Sequence, residues 1–253
     1  MDAFDHVSFG NLNEVRNAIT AETGSILVES VQGEGGIRPG DEAFLRGLRE
    51  TCDEFGLLLF YDEVQTGMGR TGDNFAFQRD GVTPDILTLS KTLGAGLPLS
   101  ATITSAAIEQ DCHDKGFLFY TTHAADPLPA AVGAKVVEIV LRDRLAERAG
   151  ELGGYLKEQL NALQQRHPVI GDVRGRGLLQ GVEIVSDRGS KTPAPEIGMA
   201  ISRRCLELGA CLNISRPSSA GIFRIAPPLT VSRDEIDSAM AIFDSALGDC
   251  GKV

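Results

Sequence analysis

Two charged side chains close two apolar runs. Leu57-Leu58-Leu59-Phe60-Tyr61 runs into Asp62 and Glu63, and Ile86-Leu87-Thr88-Leu89-Ser90 runs into Lys91. Continuous apolar runs of this length suit strands buried on both faces of a parallel sheet. In open α/β sheets, ligands bind just beyond the carboxyl ends of such strands. Asp62 and Lys91 are therefore expected at one sheet edge. Lys91 is the only ionisable residue between Asp85 and Glu109. Set among Leu, Gly and Pro, its amine is expected to be poorly solvated, which favours the neutral, nucleophilic form. A carboxylate and a desolvated lysine at one edge are what pyridoxal phosphate requires. The lysine condenses with its aldehyde, and the carboxylate keeps its pyridine nitrogen protonated, so that the ring withdraws electrons. Two other readings share the spacing. An apolar run ending in Asp-Glu is also the form of a Walker B strand, but the Gly-x-x-x-x-Gly-Lys-Ser/Thr loop that accompanies one is missing from this chain. Lys91 is equally compatible with an ordinary strand-end lysine whose ammonium reaches water.

The surrounding elements alternate. Ile26-Leu27-Val28 forms a short strand ending at Glu29, followed by the loop SVQGEGGIRPGD, whose glycines permit close approach to a ligand. Asp41 is a good N-cap for a helix to Phe55, with Leu45, Leu48, Cys52 and Phe55 at helical spacing and Gly56 ending it. Alternation of helix and strand through Lys91 argues for a mainly parallel α/β sheet. Two further strands are predicted at Leu99–Thr104 and Phe117–Tyr120, around a helix near Ala106–Lys115. Asp126 followed by Pro127 signals the start of a helix running to about Arg142. From residue 143 the character changes to a small α+β domain, so the chain divides into 1–142 and 143–253. Its last helix opens with the capping box Ser232-Arg-Asp-Glu235. Within FRIAPPLTV, Arg224 lies in an apolar strand, where a guanidinium needs an anionic partner.

The runs DEVQTGMGRTG and PDILTLSKTLGAGLPLSA resemble the cofactor region of the class III, fold type I, pyridoxal-phosphate-dependent aminotransferases. Within that family, residues 75–134 and VIGDVRGRGLLQGVEIV are most similar to the 2,2-dialkylglycine decarboxylases. The resemblance implies the C-terminal part of a fold type I large domain followed by the small C-terminal domain. The family's Gly-Ser/Thr phosphate cradle and ring-stacking aromatic are not in this sequence, so the chain looks N-terminally truncated. By resemblance Lys91 holds the cofactor and Asp62 meets its pyridine nitrogen. Gln65 bonds near the ring hydroxyl, and Thr122 reaches the cofactor phosphate of a partner subunit in a homodimer or dimer of dimers. Glu29 and Glu34 line the substrate pocket, and Arg224 grips the substrate carboxylate. Ser30 stands where the family has proline. Thr122 and Asp126 match side-chain ligands of an alkali-metal site for K+ or Na+, with Ala124 at a carbonyl ligand. The implied reaction is decarboxylation-dependent transamination of 2,2-dialkylglycines with pyruvate as acceptor. Glu34 departs from that pattern, because the decarboxylases carry a small hydroxyl residue there. QGEGG is the ordinary aminotransferase form, which makes an acetylornithine or ω-amino acid aminotransferase the alternative. A catalytically weak or inactive fragment is the reading from another class.

Composition agrees with small-molecule chemistry. The 253 residues carry 24 basic and 35 acidic side chains, a net charge of −11, with no basic block. Nucleic acid and anionic membrane are poor partners for such a chain. No apolar run reaches the length of a membrane span, and MDAFDHVSFG is not a secretory signal. Five scattered cysteines without a C-x-x-C pair read as reduced thiols of a cytoplasmic protein. The four histidines lack zinc-type spacing.

Overall fold

The computed structural model describes residues 4–124, 126–214 and 221–251. The chain runs α1 (Leu12–Ala18), β1 (Ser25–Val28), β2 (Val31–Gln32), β3 (Arg38–Pro39), α2 (Glu42–Phe55), β4 (Leu58–Asp62), α3 (Ala76–Asp80) and β5 (Ile86–Leu89). A 3-10 turn (Lys91–Gly94) leads to β6 (Ala101–Thr104), α4 (Ala106–Asp114) and α5 (Pro127–Arg142). Then come α6 (Leu145–Arg166), β7 (Ile170–Arg176), β8 (Leu179–Asp187), β9 (Thr192–Pro193), α7 (Pro195–Glu207), β10 (Asn213–Ile214), β11 (Ile222–Ile225) and α8 (Arg233–Cys250). Two compact units result. The first is Met1–Ser30, Gly40–Met68 and Asn74–Asp143; the second is Val31–Pro39, Gly69–Asp73 and Arg144–Val253. Two short segments from the N-terminal part of the sequence thus belong to the second unit.

In the first unit the sheet order is β1-β4-β5-β6. β1, β4 and β5 are parallel; β6 runs antiparallel to β5. The helix that feeds β4 forms for local reasons. Asp41 accepts from Phe44 N at 2.7 Å, and Gly56 at φ 68° closes the other end. Between them Leu45, Leu48 and Cys52 are buried. Asp85 then ties two strand starts together: its Oδ2 accepts from Leu59 N at 2.7 Å and pairs with Arg49 at 2.8 Å. Two expectations need correction. Burial along β4 alternates, with Leu59 and Tyr61 inside and Leu58 and Phe60 half-buried, so only one face is fully covered. Phe117–Tyr120 is not a strand. It has no pairing neighbour among the described residues, and its four side chains are 68–85% exposed.

The second unit is an antiparallel sheet in the order β10-β11-β8-β7, with β9 beside β8. Leu156, Leu160 and Leu163 of α6 and Ile236, Met240, Phe243 and Leu247 of α8 are buried. Phe223 of β11 meets Phe243 edge-on at 5.1 Å. α8 starts with the expected capping box, Ser232 and Glu235. In VRGRGLLQG, Gly175 and Gly177 lie where backbone meets backbone, and Gly181 lies against the Ile37 side chain. Gly177 sits at φ 52°, and a Cβ there would lie 2.5 Å from the carbonyl carbon of Thr71. The β2–β3 hairpin is anchored on the same sheet. Its Ile37 is fully buried beside Val31 and Leu179, and Gly36 O accepts from Arg174 Nε at 2.8 Å.

Among the described residues no helix is long and apolar enough to cross a membrane. All five cysteines are unpaired.

Candidate functional site

Parallel pairing brings three strand ends into a row. Val28 is opposite Tyr61 and Asp62 is opposite Thr88, so Glu29, Asp62 and Lys91 all emerge at the carboxyl edge of β1, β4 and β5. Asp62 is half-buried. Its Oδ1 accepts from Val64 N at 2.9 Å and from Thr88 Oγ1 at 3.3 Å. Both recorded bonds fall on that one oxygen, and Oδ2 carries none among the described residues. Thr88 is a functional neighbour that the apolar run concealed; only the register between β4 and β5 shows it.

Lys91 opens the 3-10 turn at φ 45°. The left-handed region is uncommon for a residue with a side chain, and here it is held from both sides. Leu93 N donates to Ser90 O at 3.0 Å, and Ser90 Oγ donates to Leu99 O at 2.9 Å. The expected poor solvation is not observed. Leu93 and Gly94 take the buried positions of the turn, and Lys91 is left exposed.

Glu63 turns the other way. It is 1% exposed, and its carboxylate accepts from Ala76 N at 2.8 Å and Phe77 N at 2.9 Å. It thereby pins the start of α3 and closes the loop that carries Gln65, which is half-buried. Burial pushes the Glu63 carboxyl up to about 7, outweighing the two amide bonds that pull it down; Asp80 and Asp62 add to the rise. No local sequence signal separates Glu63 from Asp62; the fold alone turns them apart.

Thr122 lies exposed in the turn before α5. Asp126 occupies the expected N-cap position, but its carboxylate makes no cap bond. Instead Oδ2 lies 3.0 Å from His123 Nδ1. Two exposed oxygen side chains, one engaged by a histidine, do not enclose a cation, and no mechanistic step is derived through the alkali metal. Among the described residues no group of three or more His, Cys, Asp or Glu is placed to hold a metal ion.

In the second unit, the β2–β3 hairpin brings Glu34 onto Arg224 of β11, 190 residues away in the chain, as an ion pair from Nη1 to Oε1. The anionic partner that an arginine in an apolar strand requires is therefore Glu34.

The donor set fits pyridoxal phosphate. A half-buried carboxylate with one oxygen uncommitted suits a pyridinium N–H, and an exposed amine two residues beyond the neighbouring strand suits an aldehyde. The sequence model of "Aminotransferase class-III" matches residues 4–247. An uncharacterised aminotransferase of Schizosaccharomyces pombe is 51% identical over 229 residues, covering 90% of this chain and 51% of the relative. An acetylornithine aminotransferase of Methanopyrus kandleri is 40% identical over 250 residues, covering 98% and 60%. A solved amine transaminase from an uncultivated Pseudomonas species, in its PLP-bound form, superposes with a TM-score of 0.85 at 32% identity, covering 90% of this chain and 52% of that one. The chain thus spans between half and three fifths of the length of the relatives it matches. Relatives named acetylornithine aminotransferase favour that alternative over the decarboxylase expectation.

Proposed function

The chain belongs to the class III aminotransferases and has their α/β fold, and on that footing we propose that it serves pyridoxal-phosphate-dependent transamination of an acetylornithine or ω-amino acid donor with a 2-oxo acid acceptor. The observation that carries this choice is Glu34 on Arg224. A carboxylate already holds the guanidinium, so a substrate carboxylate binds only by displacing Glu34. A small hydroxyl at position 34, the form expected of a decarboxylase, would leave the arginine open to every incoming amino acid.

When bound, the cofactor supplies an electron sink for the charge left as a bond at the substrate Cα breaks. The chain's own residues do the rest. Asp62 Oδ2 would accept the pyridine N–H, while Thr88 and the Val64 amide hold Oδ1 and so fix the plane of the carboxylate. Lys91 Nζ anchors the cofactor and then carries the proton to and from the substrate Cα. By family resemblance Gln65 would bond near the ring hydroxyl, Glu29 and Glu34 would meet the substrate, and Arg224 would take its carboxylate in a bidentate fork. Thr122 would reach the phosphate held by a second copy in a homodimer or dimer of dimers. The exposed Phe117–Tyr120 run supports such pairing, since an apolar patch of this kind marks an interaction surface. Cytoplasmic residence is in keeping with the unpaired cysteines.

Borohydride reduction of the chain with pyridoxal phosphate, followed by peptide mapping, tests the site. Label is expected on Lys91 and lost in Lys91→Ala; scattered label on several lysines would refute a built site and favour an inactive fragment. A second reading, decarboxylation-dependent transamination, draws on the similarity of residues 75–134 to the 2,2-dialkylglycine decarboxylases. Release of CO₂ from 2-aminoisobutyrate with pyruvate, outpacing turnover of acetylornithine, would establish it over the first.

A further inference from the structure

Among the described residues no acid answers the charge of Arg70. It comes from the GMGRTG run, is half-buried in the second unit, and burial lowers its guanidinium from the ordinary value. Among the described residues its recorded partners are two carbonyl oxygens. Nη1 donates to Leu178 O at 3.2 Å and, more closely, to Pro227 O. A desolvated cation without a carboxylate is costly to keep. The position therefore needs an explanation beyond packing.

The two carbonyls identify it. Leu178 immediately precedes β8, and Pro227 follows β11 by two residues. β8 and β11 pair, with Gln180 opposite Ile225 and Gly181 opposite Arg224. One nitrogen of Arg70 thus bridges the start of one strand and the end of its neighbour, next to the pair that contains Arg224. The bridge is itself held, because Leu178 N donates back to Arg70 O at 3.0 Å. Gly177 packs so closely over this segment that its Cβ would lie 2.7 Å from the same Arg70 oxygen. Side chains in a sheet change face with a one-residue slip. A clamp at the strand ends fixes which face and which height Arg224 presents to Glu34.

We propose that Arg70 is a positioning residue for Arg224: by bridging Leu178 O and Pro227 O it fixes the β8–β11 register and so the seat of the carboxylate-binding guanidinium. The proposal rests on the reading of Arg224 as the carboxylate-binding residue. A lysine ammonium can donate to two carbonyls as Nη1 does, so Arg70→Lys is the conservative replacement. Arg70→Met keeps most of the volume and removes the donors.

The test uses the whole chain in wild-type, Arg70→Lys, Arg70→Met and Arg224→Gln forms. Amide hydrogen exchange reports on the peptide spanning Ile222–Ile225. Glutarate, as a carboxylate probe, is titrated against the Arg224 Nε–H resonance and, for all four forms, by calorimetry. Arg70→Met is expected to speed exchange in that peptide at least tenfold while α8 keeps its protection, and to weaken glutarate about tenfold. Arg70→Lys is expected to stay within about threefold of wild type in both. Unchanged exchange in Arg70→Met, or loss of protection spread equally over α8, would overturn the proposal. Glutarate bound equally well by Arg224→Gln would refute the reading of Arg224 instead, while the exchange result still decides the role of Arg70.

Discussion

At the scale of single residues, the site divides its labour between two adjacent acids that face opposite ways. Asp62 keeps one oxygen uncommitted at the sheet edge; Glu63 spends both of its own on α3. In Asp62→Asn the amide cannot hold a pyridine nitrogen in its protonated form, and kcat is expected to fall by about 10²–10⁴ with far less change in KM. Steady-state kinetics check this, and an unchanged kcat would remove Asp62 from the mechanism. Glu63 makes a prediction about pH. Below its ordinary value of 4.5 it is protonated in both folded and unfolded chains and has no effect on stability. Between 4.5 and about 7 the unfolded chain ionises while the folded chain holds the proton, so stability falls as pH rises. Above about 7 the loss is complete, on the order of 3 kcal/mol for a shift of this size. Glu63→Gln lacks this slope. Urea unfolding of both proteins from pH 4.5 to 7.5 should show the variant gaining steadily on the wild type, and parallel profiles would show that Glu63 does not titrate there.

At the scale of elements, the second unit depends on backbones that touch. Ala at position 177 would need both the strained φ of 52° and room where Thr71 already lies. Gly177→Ala is expected to cost on the order of 3 kcal/mol, read as a shift in urea midpoint, whereas a change within ~0.5 kcal/mol would show that the loop yields. The helices were the most legible elements in the sequence, because caps and periodicity are local. Asp41 with Gly56 and Ser232 with Glu235 behave as their types dictate. Strand ends were legible where charge followed an apolar run, as at Asp62 and Lys91. What escaped was long-range. The antiparallel turn of β6, the register that puts Thr88 on Asp62, and the 190-residue reach from Glu34 to Arg224 leave no mark on nearby residues.

At the scale of the whole molecule, the run Phe117–Tyr120 is an exposed apolar surface in a chain that spans about half the length of its relatives. On the proposed pairing of copies, replacement of Phe117, Phe119 and Tyr120 by serine is expected to shift sedimentation toward the monomer while leaving unfolding stability within about 0.5 kcal/mol. Persistence of the larger species would place the contact elsewhere. Four consecutive apolar residues look like a buried strand to any rule that assumes burial inside one chain. Lys91 is solvated because its apolar neighbours in sequence turn inward and leave the amine outside.

The left-handed backbone at Lys91 has a consequence for how this protein can change over generations. Glycine is at ease at φ 45°, so Lys91→Gly is expected to raise the free energy of unfolding by about 0.5–1 kcal/mol while erasing the one amine of that edge. Drift under selection for folding alone would drain this position of its lysine. Wherever descendants keep the lysine against that pull, it is chemistry and not architecture that retains it.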